Sequence, residues 1–170
     1  MPPTHRLRIG GPVLAALALL LPAACGGSQA STAQASGTYH GPNELDFLIT
    51  SPVRRQMPPE RHNGSAEVVS DDGAEVLVEL RMLEGGDVCE IRATRPSPGA
   101  STLTVPAGQE CRSRFSYEGA PTAAVVTIEE GTVDIGSGTL RVDLHGSFVA
   151  ATSGASQSSG IAEWEFEGTR

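Results

Sequence analysis

From residue 38 onward the chain alternates apolar and polar side chains with a period of two, and no helical periodicity lasts longer than about ten residues. Between 75 and 83, Val76, Val78, Leu80 and Met82 share one face while Glu75, Glu79 and Arg81 share the other. That pattern predicts an antiparallel strand with one buried and one wet side. Cys89, Ile91 and Ala93 alternate in the same way with Glu90, Arg92 and Thr94 over 88–94, and Glu84-Gly85-Gly86-Asp87 between the two runs is a hairpin turn signal. Further strands are predicted at 101–105, 111–118, 123–128, 132–135, 139–150 and 161–167. In the last, Ala162, Trp164 and Phe166 point one way and Glu163, Glu165 and Glu167 the other. Turns carry glycine: Glu129-Glu130-Gly131 and Gly136-Ser137-Gly138 separate neighbouring runs, and Gly146 allows a bend before Phe148.

Eight to ten short strands at about ten-residue spacing predict an all-β domain, either an antiparallel up-and-down, barrel-like meander or a β-sandwich. The final strand ends close to residue 170, so closure against an early strand would protect its edge, which favours the barrel. Two stretches read as loops. Residues 51–63 hold Pro52, Pro58 and Pro59 with Arg54, Arg55, Arg61 and His62 and read as a long exposed loop, after a stretch at 41–50 that is harder to place and in which 44–50 fits one helical turn or a strand; residues 152–160 are Ser, Gly and Ala rich and read as mobile.

Composition changes the picture at the amino terminus. His5, Arg6 and Arg8 precede nine uninterrupted apolar residues over 13–21, followed by small residues and Cys25. The run is too short for a bilayer core of about 30 Å and fits a cleaved secretory signal over 1–24. All 12 basic residues are Arg, against 20 acids, for a net charge of −8, which sets nucleic-acid binding aside. Removing the signal deletes Arg6 and Arg8 and no acid, so the charge falls to −10. A surface this acidic should stand off anionic headgroups.

Leu21-Pro22-Ala23-Ala24-Cys25, followed by Gly26-Gly27-Ser28, resembles the lipobox of bacterial lipoproteins, with Pro22 where that family usually carries Leu. The resemblance implies a diacylglycerol thioether on Cys25 as the new amino terminus, membrane attachment through that lipid, and a place in the cell envelope, at the outer membrane ahead of the inner. Residues 25–37 then read as the lipidated cysteine and a flexible leash with a reach of about 20 Å, and 38–170 as a single domain in the periplasm or at the cell surface. Gly37-Thr38-Tyr39 and Arg170 resemble the Gly-x-Trp motif and the closing arginine of lipocalins and calycins, with Tyr in place of Trp. This likeness implies a barrel able to carry a small apolar ligand.

With Cys25 assigned to lipid, export favours a disulfide between Cys89 and Cys111 over metal or redox chemistry, because no Cys-x-x-Cys is present. His40, His62 and His145 are dispersed and read as surface, and Asp71-Asp72-Gly73 lacks the alternating ligands of a calcium loop and reads as a hairpin turn. No Gly-x-Ser-x-Gly elbow occurs, so no catalytic residue, cofactor or metal ligand is assigned. Two groups remain as candidate binding residues. Phe115, Tyr117, Phe148, Trp164 and Phe166 face inward and are placed to line a cavity, and Arg54, Arg55 and Arg61 form a basic loop suited to an anionic partner. The expectation is a non-enzymatic binding or structural module presented to an envelope protein or glycan, with a lipocalin-like carrier and an envelope hydrolase as alternatives.

Overall fold

The computed structural model describes residues 35–81, 87–117, 120–155 and 157–170, with the backbone alone for 115–117. Ten antiparallel strands follow in order: β1 (Gly37–Ser51), β2 (Arg55–Gln56), β3 (Glu60–Asp71), β4 (Glu75–Arg81), β5 (Val88–Thr94), β6 (Thr102–Thr104), β7 (Glu110–Tyr117), β8 (Ala120–Ile135), β9 (Thr139–Thr152) and β10 (Ser158–Thr169). Hydrogen bonding runs β1-β3-β4-β5-β6-β8-β9-β10 and returns to β1, so the sheet closes on itself as a meander barrel and is not split into two facing sheets. The last strand pairs with the first from His40↔Thr169 to Ser51↔Ser159, which leaves β10 without a free edge.

The long strand β8 explains how ten strands make eight barrel positions. Its second half pairs with β6 and its first half with β7, and a bulge between Ile128 and Glu130 bends it where the partner changes. Backbone bonds from Val105 N–H to the Gly131 carbonyl and from Ile128 N–H to the Gln109 carbonyl, 2.9 and 2.8 Å, keep the two partners in line. The Glu129-Glu130-Gly131 turn expected from sequence is therefore this bulge inside one continuous strand. Glycine permits tight coiling elsewhere. At Gly146, within the unbroken β9, an added Cβ would lie 2.1 Å from the Thr127 carbonyl oxygen, and at Gly160 1.9 Å from that of Leu48.

Residues 44–50 take the strand alternative as part of β1, and the expected loop over 51–63 is corrected: β2 pairs beside Leu48 and Ile49 and residues 60–63 open β3, so only Pro52-Val53-Arg54 and Met57-Pro58-Pro59 stay outside the strands. Likewise the 152–160 loop shrinks to the link between β9 and β10, because Ser158, Ser159 and Gly160 pair with Ala150, Val149 and Phe148.

Side chains fill the barrel unequally along its length. Toward the end where β1 begins, Tyr39, Val76, Ile91, Leu103, Val133, Leu140 and Phe166 are all buried. Tyr39 donates its hydroxyl to the Ala35 carbonyl at 2.9 Å, and the Arg170 guanidinium lies 5.6 Å from its ring centroid while donating to the Ser36 carbonyl. The chain enters the fold here, at the packed end. A barrel of eight strands has an interior just wide enough for side chains or one small ligand, and this end uses the first option.

Candidate functional site

At the opposite end the lumen stays open. Leu45, Phe47 and Ile49 of β1, Val126 of β8, Phe148 of β9 and Trp164 of β10 line a cup of about 150 Å³. Each comes inward by strand alternation: Leu45, Phe47 and Ile49 are two apart, as are Thr122, Ala124 and Val126. Phe47 and Phe148 meet edge to face with centroids 5.2 Å apart at 78°. Trp164 lines the cup, and its indole N–H donates to the Oδ1 of Asn43, a buried amide whose Nδ2 donates to the Arg81 carbonyl at 3.3 Å. This polar pair lies between the filled half of the lumen and the empty half.

One wall of the cup is a seam. Among the described residues β5 and β7 share no backbone ladder, and side chains join them instead. Cys89 and Cys111 are paired as a disulfide with Cα atoms 4.9 Å apart, within the range such bonds require. Closing a loop between residues separated by 22 positions stabilises the fold by about 3 kcal/mol in the chain-entropy account. Gln109 mimics a strand neighbour: its Oε1 accepts the Arg92 N–H and its Nε2 donates to the Arg92 carbonyl, both at 2.8 Å. The Asp87 carboxylate accepts the Arg114 N–H at 2.8 Å. A groove of about 400 Å³ runs along the outside of this seam and shares Asp87, Arg112, Ser113, Arg114 and Ala124 with the wall of the cup.

The five aromatic candidates separate. Phe148 and Trp164 line the cup, Phe166 is spent on the packed end, and the side chains of Phe115 and Tyr117 lie outside the described residues. Phe47 and Ile49 are cup residues that sequence reasoning passed over; the alternation Leu45-x-Phe47-x-Ile49 was the available signal. The three arginines also part company. Arg61 is opposite Glu44 in the β1–β3 ladder and forms an exposed pair at 2.9 Å that pushes its pKa further up, whereas Arg55 is exposed in β2 opposite Ile49 and Arg54 precedes it at the hairpin turn. Cys25 lies outside the described residues.

The histidines do not converge. His40 pairs with Ser65 and Thr169, His62 lines the cup near Glu60 at 3.7 Å, and His145 stands on β9 between Glu130 and Glu163. The Asp71-Asp72-Gly73 turn joins β3 to β4: Asp72 Oδ1 accepts the N–H groups of Ala74 and Glu75 at 2.9 and 2.7 Å, and these bonds hold its carboxyl below the usual range. Chemically the cup offers shape and apolar surface with few polar groups, which suits holding a ligand. Comparison with known proteins finds no matching family model and no matching curated protein.

Proposed function

We propose that this protein is a lipid-anchored binding module of the bacterial envelope, acting by binding and not by catalysis, whose barrel receives a small apolar group. The half-filled lumen carries the reading: a cup of about 150 Å³ walled by Leu, Ile, Val, Phe and Trp side chains has the volume of cavities that take up one benzene ring. The contact of Arg170 with Tyr39 supports the lipocalin-like form of this reading. Attachment rests on the lipobox-like residues before Cys25. Ala35 enters at the packed end, so a tether at Cys25 would leave the cup facing away from the anchoring membrane, toward an envelope lipid, protein or glycan that presents the ligand.

Trp164 is the single tryptophan of the chain and lines the cup, so its emission reports occupancy without a label. Titration of the mature protein with toluene is expected to give a saturable change in that emission, and Ala124→Phe, which fills the cup from β8, is expected to abolish it. An unresponsive Trp164 in the folded wild type would remove the reading.

A further inference from the structure

Strand register turns two polar side chains of β3 into the cup. Glu60 is opposite Leu45 and His62 opposite Asn43 in the β1–β3 ladder, and residues directly opposite one another share a face of the sheet. Leu45 and Asn43 are buried on the lumen side, so Glu60 and His62 point there too, and both line the cup. Leu45 is in turn opposite Trp164, which sets Trp164, Leu45 and Glu60 in one inward row across β10, β1 and β3. The Glu60 side chain is 48% exposed, so it stands at the mouth, where a charge keeps part of its hydration. His62 comes no nearer to it than 3.7 Å, too long for a hydrogen bond, and the carboxylate oxygens keep their acceptor capacity.

Asp87 is the second acid of the cup wall, two positions ahead of the inward Cys89, and its carboxylate accepts the Arg114 N–H at 2.8 Å. The guanidinium groups nearby are turned away. Arg112 and Arg114 alternate with Cys111 and Ser113 and stand exposed on the outer side of β7, where Arg112 meets Glu110 at 3.2 Å. Arg55 is exposed in β2 and is no part of the cup wall. The formal charges that register directs into the cup are therefore carboxylates, and they share it with the rings of Phe47, Phe148 and Trp164. The faces of such rings attract cations.

Resting on the reading above, we propose that the ligand is an organic ammonium, whose ring or short apolar chain fills the cup while its nitrogen lies at the mouth beside Glu60. The ammonium N–H groups donate to the Glu60 carboxylate, and the aromatic wall adds its own attraction for the cation. An excess of 20 acids over 12 arginines draws such a molecule toward the protein from solution.

Calorimetric titration of the mature protein with benzylammonium, benzyl alcohol and benzoate tests this, because the three carry the same ring and differ in charge. Benzylammonium is expected to bind about tenfold tighter than benzyl alcohol, the combined effect of an exposed ion pair and a cation–ring contact. Benzoate is expected to bind more weakly than the alcohol. Glu60→Gln keeps the shape of the side chain and is expected to weaken benzylammonium about threefold while leaving benzyl alcohol unchanged. Glu67→Gln, which removes the same charge from the outer wall of β3, is expected to change neither. Benzyl alcohol or benzoate binding as tightly as benzylammonium, or equal losses in the two variants, would overturn the proposal and leave the apolar cup standing. No binding by any of the three would overturn both.

Discussion

Asp72 shows how one carboxylate fixes a turn and makes it sensitive to acid. Its bonds from the Ala74 and Glu75 N–H groups close the β3–β4 hairpin, and both favour the ionised form. A carboxyl whose folded pKa lies below its ordinary value of 3.8 contributes stability that is fully present above that value and is lost as pH falls through the folded value. Asp72→Asn keeps an acceptor and removes the titration. Urea midpoints measured from pH 2 to pH 6 should therefore show the wild type gaining on Asp72→Asn as pH rises; a constant difference would show that the charge does not matter. The turn was readable as Asp-Asp-Gly, but its direction of titration was not, because that depends on which amides the side chain reaches.

Among the strands, those read most easily from sequence are the ones with one buried and one wet face. Val76, Val78 and Leu80 in β4, Cys89, Ile91 and Ala93 in β5, Leu140, Val142 and Leu144 in β9, and Ala162, Trp164 and Phe166 in β10 are all buried as their alternation requires. The failures have a common physical cause: local turn chemistry was overridden by the ladder. Glu129-Glu130-Gly131 has turn residues yet lies between two paired strands and becomes a bulge, and the prolines at 52, 58 and 59 hid β1 and β3 by flanking them. Gly160 sits amid serines and looks like loop filler, but it is the third residue of β10, where the strand must pass Leu48 closely. Gly160→Ala places a methyl group 1.9 Å from the Leu48 carbonyl oxygen, and thermal or urea unfolding is expected to register a loss of about 3 kcal/mol. A neutral or stabilising effect would mean that β1 and β10 do not approach each other this closely at Gly160.

Taken as a whole, the molecule is packed at one end and receptive at the other. The barrel could be anticipated from strand count and the need to cover the final edge, and Phe148 and Trp164 from their inward register. The cup could not, because alternation says which residues point inward and not whether they meet in the middle. Tyr39 and Phe166 fill the end where the chain enters; across the cup, small residues such as Ala124 and Ala150 oppose the larger ones and leave space.

The cup itself is tested most directly by a crystal structure of the domain determined under xenon pressure, since an apolar cavity of this size takes up the gas. The expected result is xenon density in the cup against Trp164, beside the edge-to-face pair of Phe47 and Phe148. Density absent there, with those two phenyl rings collapsed into the lumen, would show a barrel filled along its whole length and would contradict the binding function.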